Sequence, residues 1–298
     1  MKPAWSVVLL TTLLGAGQGL FVALFAAEMA GFAAPDLFLF GSAASFGLLA
    51  AGLVASFFHL GRPERAWRSA AMWRTSWLSR EVIVLPAFMA SVFLWGFAHW
   101  LGFSTLWAGV AGVVLAAALF VCTAMIYACL KFLQEWHTPL TVVNYAALGC
   151  ASGLTLAAAL AAWLHPPLAA AYAAAALAAG AFAYLARLAS LARNARLRPK
   201  STLATAIGIK HPKIAQIAQG AMGGSFNTRE FFHGRPREVV RAVRWTFLAL
   251  LFPVPALLLL AGQAAAAFLV QYVGLLAERW YFFAEARHPQ NLYYQAIA

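Results

Sequence analysis

The chain has 298 residues, of which 63% are hydrophobic and only 10% are charged. These polar residues are too few to cover a soluble domain of this length, so the composition indicates a single membrane-embedded unit. The formal net charge is +12, but the basic residues lie in short segments between apolar runs. That pattern is typical of membrane flanks and argues against nucleic-acid binding.

Eight apolar runs are long enough to cross a bilayer, since a spanning helix needs roughly 20 mainly apolar residues. We expect helices because a lipid-exposed backbone must satisfy its own hydrogen bonds, and the runs lack the alternation of a β-barrel. The first run is too long for a signal-peptide core and is predicted to be a retained helix. The predicted spans are Trp5–Ala27, Leu37–Phe58, Val82–Leu101, Leu106–Leu130, Leu140–Leu164, Leu168–Leu188, Trp245–Ala261 and Ala264–Phe283. Pro253 and Pro255 are predicted to kink the seventh span, which neighbouring helices can tolerate.

The distribution of charge predicts the orientation of the bundle. If odd-numbered spans start on one face, all 21 lysines and arginines fall on that face. The opposite face carries Glu28 and Asp36 instead. The positive-inside rule therefore places the basic face and both termini in the cytoplasm of a bacterial inner membrane.

Two segments of the basic face are longer than connectors need to be. The first runs from His59 to Glu81 and the second covers residues 187–244. Loops of this length in a compact protein are usually functional. Their glycine, proline and aromatic content predicts ordered docking surfaces, with a binding site in the first.

The first segment reads HLGRPERAWRSAAMWRTSWLSRE. With the acidic–basic pair Glu278–Arg279 near the end of the last span, it resembles the DmsC family of membrane anchor subunits over essentially the whole chain. The resemblance implies a membrane anchor for a molybdopterin catalytic subunit and a four-cluster ferredoxin-like iron–sulfur subunit. It implies electron exchange with ubiquinone or menaquinone, no haem, and a quinone site that includes His59, Arg65 and Glu81.

The arginine-rich docking face favours a cytoplasmic catalytic subunit, as in the sulfite-oxidising quinone dehydrogenase branch of this family. An anchor of a dimethyl sulfoxide reductase that oxidises menaquinol is the first alternative. A transporter is the second, although no internal repeat or midplane ionisable pair is apparent. A purely structural anchor is the third.

The residues themselves support proton exchange at the same place. Quinone chemistry moves two protons, which need titratable groups at the membrane edge. His59 suits this role because histidine side chains in general have an unperturbed pKa near 6.5, and Glu81 lies at the predicted start of the third span. The structural alternatives are a histidine that complements a helix dipole and a first-turn glutamate after an N-cap at Ser79.

Other polar residues have weaker claims on the site. Most of the arginines near His59 are expected to snorkel to head groups or to contact a partner, and Arg65 is assigned by its motif position alone. Gln18 in the first span and Trp77 are secondary candidates for the quinone pocket. Glu278 and Arg279 are expected to form a structural ion pair. No haem or metal is predicted, because the histidines lie at predicted span ends or in loops and the three cysteines lack ligand spacing.

Overall fold

The computed structural model describes residues 3–58, 60–215, 217 and 237–292. These described residues form helices joined by short turns, with no strand among them. The α-helices are α1 (Trp5–Met29), α2 (Pro35–Phe57), α3 (Trp77–Leu101), α4 (Leu106–Ala128), α5 (Pro139–Leu164), α6 (Pro166–Ala195), α7 (Leu203–Ile207), α8 (Arg237–Leu251), α9 (Pro253–Leu260) and α10 (Ala264–Glu285). Two 3₁₀ helices cover Pro63–Ala70 and Pro289–Leu292.

Within the described residues, seven helical stretches are long and apolar enough to cross a membrane, namely α1 to α6 and the joined stretch Arg237–Leu260. The prediction of an all-α, multi-pass membrane protein is therefore confirmed. The eighth predicted span, α10, is not among the seven. It has 22 residues, enough for about 33 Å, but Gln271, Glu278 and Arg279 lower its hydropathy. All three side chains are buried inside the bundle.

Prolines mark the helix boundaries where the sequence predicted breaks. Pro35 and Pro166 occupy the first positions of α2 and α6, where their missing N–H costs no hydrogen bond. The kink predicted at Pro253 and Pro255 is confirmed as a complete break. The helix stops at Leu251, Phe252 leaves the helical conformation, and α9 begins at Pro253.

Three predicted boundaries were wrong. The third span starts at Trp77 and not at Val82, because the side chain of Ser76 caps the helix by accepting the Ser79 N–H at 3.3 Å. Ser79 is therefore a buried residue within α3 and not its cap, and Glu81 lies in the second turn. On either side of the second long segment, α6 continues to Ala195, beyond the predicted Leu188, and α8 is already helical at Arg237, before the predicted Trp245.

The centre of the bundle is α1, which packs against α2, α4, α5 and α10. The backbones of α1 and α5 approach so closely that only glycine fits at the contact positions. A Cβ at Gly19 would collide with the carbonyl of Gly149, and one at Gly153 would collide with the backbone of Gly19. Small residues allow such contacts between membrane helices.

The two ends of the bundle differ. We call one end the loop face, where the segment 58–76, the α4–α5 loop and the C-termini of α6 and α10 meet. There Trp136 donates to the carbonyl of Phe282 at 2.9 Å, and Arg193 donates to the carbonyl of Gln134 at 3.0 Å. We call the other end the opposite face, which carries the turns α1–α2, α3–α4, α5–α6 and α9–α10.

Candidate functional site

Glu81 is a buried carboxylate at the loop face, with 5% of its surface exposed. Thr123 on α4 donates its hydroxyl to Glu81 Oε1 at 2.5 Å, which ties the start of α3 to the end of α4. Burying a carboxylate is costly unless hydrogen bonds compensate. Among the described residues, Thr123 is the side chain that donates a hydrogen bond to Glu81, so the carboxylate keeps capacity for a further donor.

Aromatic residues surround this end of α4. Tyr127 lies one turn beyond Thr123, on the same face of the helix. Its ring packs edge-on against Trp136 and is stacked on Tyr145 at a centroid distance of 5.9 Å. Phe282 and Phe283 of α10 complete the cluster. The carboxylate therefore has an apolar, aromatic boundary on the inner side of the bundle.

Trp77 and Glu81 are four residues apart on α3, which places them on the same face of the helix. The guanidinium carbon of Arg80 lies 4.2 Å from the Trp77 ring centroid. Arg80 also donates to the carbonyls of Trp73 and Arg74 at 2.9 and 2.8 Å. Arg80 thus fastens the loop to the start of α3 and does not simply extend to head groups.

The structure says less about His59 and Arg65, the other two residues of the predicted motif. His59 lies outside the described residues, so its predicted role stays a prediction. Arg65 is exposed on the 3₁₀ helix Pro63–Ala70, with its Nε 3.9 Å from Glu64. That short helix packs against α3.

Gln18 lies far from these residues. It is buried at the middle of α1, about 20 Å along the helix from Trp5, whereas Glu81 lies near the start of α3. Beside it, Ser45 of α2 donates to the carbonyl of Gly17 at 2.8 Å, an interhelical bond of the kind expected in close packing. The structure thus brings Trp77 and Glu81 together and leaves Gln18 at a different depth.

The predicted ion pair Glu278–Arg279 is confirmed, with Arg279 Nε 2.5 Å from Glu278 Oε2. Sequence reasoning missed its third member. Arg187 of α6 places its Nε 2.8 Å from Glu278 Oε1 and is only 3% exposed. The available signal was a single arginine inside an alanine-rich span, because ionisable residues at membrane depth usually have a function. Thr123 gave no such signal, because hydroxyls in membrane helices often bond their own backbone.

The opposite face holds a partly buried carboxylate, that of Glu28 at the end of α1, whose side chain is 14% exposed. Trp95 donates its Nε1 to Glu28 Oε2 at 2.8 Å, and Thr105 donates its hydroxyl to Glu28 Oε1. His99 Nε2 lies 3.2 Å from the same Oε1. Three side chains from α3 and the following turn therefore surround this carboxylate.

Comparison with known proteins agrees with this architecture. The family described as "DMSO reductase anchor subunit (DmsC)" matches residues 1–278. The chain belongs to this family. It is also 54% identical over 325 aligned positions to a sulfite dehydrogenase subunit of Allochromatium vinosum, with both chains covered completely. The chain is accordingly a membrane anchor of an oxidoreductase complex. In this family the molybdopterin cofactor resides in a partner subunit.

Proposed function

We propose that this chain carries the quinone site of a sulfite-oxidising complex and passes electrons from an iron–sulfur partner to membrane quinone. The buried carboxylate of Glu81, at the loop face and held by one hydroxyl, is the observation that carries the proposal. The similarity to a sulfite dehydrogenase subunit favours sulfite oxidation over reduction of dimethyl sulfoxide by menaquinol. Membership of an anchor family favours both over a transporter.

The chemistry fits the residues around Glu81. Reduction of a quinone takes two electrons and two protons. The electrons come from a cluster of the partner subunit, and the protons must come from groups that reach the quinone oxygens. Glu81 supplies one such group. Trp77, on the same face of α3, offers a ring plane for the quinone, and His59 and Arg65 are assigned to the site by the family motif.

The loop face is the proposed docking surface. Trp67, Met72 and Trp73 are exposed there despite their size, and Arg62, Arg65 and Arg68 lie among them. Aromatic residues, methionine and arginine are enriched in protein interfaces. The proposed partners are a molybdopterin catalytic subunit and a four-cluster ferredoxin-like iron–sulfur subunit. The proposal includes no haem in this chain, because the electrons are expected to pass directly from the partner's iron–sulfur clusters to the quinone.

The proposed orientation places the loop face in the cytoplasm of a bacterial inner membrane, with α10 as an eighth span. Burial of Gln271, Glu278 and Arg279 inside the bundle supports that span despite its low hydropathy. The support for the orientation is the positive-inside rule, since every lysine and arginine falls on the basic side of an eight-span chain.

Thiol labelling tests the orientation. Ser104, exposed in the α3–α4 turn, and Arg68, exposed on the loop face, are replaced singly by cysteine in a C129S background that lacks the exposed native thiol. In intact cells, a membrane-impermeant maleimide should label S104C, and it should label R68C only after detergent treatment. The reverse pattern would place the docking face outside.

The function is tested on the complex as purified from its native membrane in mild detergent. We expect a molybdopterin subunit and an iron–sulfur subunit without export signals, sulfite-dependent quinone reduction, and no haem absorption band. A complex whose catalytic subunit reduces dimethyl sulfoxide at the expense of menaquinol would replace the sulfite assignment. A chain that purifies alone and without molybdenum or iron would contradict the anchor function in this protein.

A further inference from the structure

A polar cavity lies inside the bundle at the loop face, between α5, α6 and α10. Its lining includes Glu135, Asn144, Tyr145, Arg187, Glu278 and Arg279. The two arginines share the Glu278 carboxylate, which leaves one positive charge in excess among these three side chains. A buried excess charge is costly, so its retention in a membrane bundle points to a use beyond holding helices together.

The cavity connects inward to the carboxylate of Glu81. Tyr145 lines the cavity and stacks on Tyr127, and Tyr127 lies one turn from Thr123, the donor to Glu81. Two tyrosine rings, one on α5 and one on α4, therefore lie between the cavity and the site.

The cavity connects outward to the loop face. Glu135 lies in the α4–α5 loop and is half-buried, and burial raises the pKa of its carboxyl. Asn194 donates to Glu285 at 3.3 Å close by, and the charge of Arg287 also acts on Glu135. A titratable group therefore stands between the cavity and the aqueous side.

Resting on the function proposed above, we propose that this cavity is the proton-uptake route of the quinone site, leading from Glu135 through Tyr145 and Tyr127 to Glu81. Protonated Glu81 gives its proton to a quinone oxygen and becomes a carboxylate. The Tyr127 hydroxyl then gives its proton to Glu81 as it accepts one from the Tyr145 hydroxyl, which takes a proton from Glu135 and water at the same time, so that no phenolate accumulates. Two such passes, with two electrons from the partner's iron–sulfur cluster, convert one quinone to one quinol.

The excess positive charge has a specific role in this sequence. The guanidinium carbon of Arg279 lies 4.1 Å from the centroid of the Tyr145 ring. This positive charge offsets part of the cost of negative charge on the Tyr145 oxygen while protons move along the route. Glu278 neutralises part of the charge of Arg187 and Arg279, which lowers the cost of burying the two arginines when no proton is moving along the route.

The test replaces Tyr145 by phenylalanine, which keeps the ring against Arg279 and removes the hydroxyl. The matched control is Tyr172→Phe, a buried tyrosine whose hydroxyl lies 3.3 Å from the carbonyl of Ala23, away from the loop face. The purified complexes are assayed for sulfite-dependent reduction of a water-soluble ubiquinone analogue in H₂O and D₂O. Reduction of ferricyanide serves as a readout that bypasses the quinone site.

We expect Y145F to lower kcat for quinone about tenfold or more, to increase the solvent isotope effect, and to leave KM and ferricyanide reduction unchanged. Y172F should behave like the wild type. If Y145F does not assemble, Tyr127→Phe and Glu135→Gln are tested in its place. Glu135 is half-exposed, and both variants are expected to show the same fall in kcat and the same increase in isotope effect. Wild-type kcat and isotope effect in the assembled variants would overturn the route while leaving the quinone site intact. A wild-type complex that reduces ferricyanide but no quinone would overturn both proposals.

Discussion

Each end of the bundle holds a glutamate with little exposure, and the contrast between Glu28 and Glu81 separates a structural carboxylate from a reactive one. Trp95 and Thr105 each donate a hydrogen bond to Glu28, His99 lies beside it, and these contacts tie α1 to α3 and α4. Glu81 has Thr123 as its side-chain donor among the described residues. Chemistry requires a group that can still bind and release a proton, and a carboxylate held on several sides is poorly suited to that.

The largest expected difference between the two ends comes from removing each carboxylate. Glu81→Gln keeps the shape and one acceptor but cannot exchange a proton, and positioned acid–base groups typically contribute about 10²–10⁴-fold. We expect quinone reduction by the assembled complex to fall at least about a hundredfold, with ferricyanide reduction unchanged. Glu28→Gln should leave quinone turnover within about twofold. A strong loss of quinone reduction in E28Q, together with normal quinone reduction in E81Q, would mean that Glu28 is the reactive carboxylate and Glu81 the structural one.

The next effect is that of the hydrogen-bond donors. Thr123→Val removes the donor to Glu81 at nearly constant volume. A hydrogen bond to a charged group contributes about 1.5–3 kcal/mol, so we expect a fall in quinone kcat of about tenfold. Thr105→Val removes a donor to Glu28 and is the matched control, with unchanged kcat. Equal kcat in the two variants would mean that Thr123 does not support the reaction.

A smaller effect should appear in stability at the opposite face. Trp95→Phe deletes the N–H that binds Glu28 and trims a fully buried side chain. Loss of a partner to a buried charged group costs about 1–3 kcal/mol, so the detergent-solubilised complex should unfold a few degrees lower. Turnover of the assembled W95F complex should stay normal. A slow complex of normal thermal stability would indicate that the opposite face takes part in the reaction.

The smallest effect concerns Glu135, a half-buried carboxyl in the α4–α5 loop. Because its folded-state pKa is raised, the native state favours the protonated form, and this contribution to stability is lost as pH rises through that pKa. Glu135→Gln should therefore raise the thermal stability slightly at neutral pH and leave it unchanged at pH values below the ordinary carboxyl range. Thermal unfolding of both complexes across this pH range checks the sign. A variant less stable than wild type at neutral pH would contradict it.

The sequence predicted the fold well because the length and hydropathy of membrane helices can be read locally. It predicted the break at Pro253 for the same local reason, since proline cannot continue a helix. It failed at the start of α3, because Ser76 and Ser79 are both suitable N-cap residues in sequence and the structure uses Ser76. It also predicted correctly that α10 is a separate helix, although the hydropathy of this charged segment is low.

The candidate site was predictable only in part. Glu81 was identified through the family motif, and the structure adds the physical reason, which is burial beside Thr123. Arg187, Tyr127 and Tyr145 come from three different helices, and their relation to Glu278 and Glu81 depends on how those helices pack. A single sequence does not show these contacts, because Arg187 stands out only as an arginine within an apolar span and the two tyrosines resemble ordinary core residues.

The most direct measurement is photolabelling of the native complex with an azido-quinone, followed by peptide mapping. Labelling at the loop face is expected, on α3 near Trp77 and Glu81 or on the segment before it. It should be suppressed by excess unmodified quinone and weakened by E81Q but not by E28Q. Quinone-competed labelling near Glu28 and His99, at the opposite face, would contradict the assignment of the quinone site.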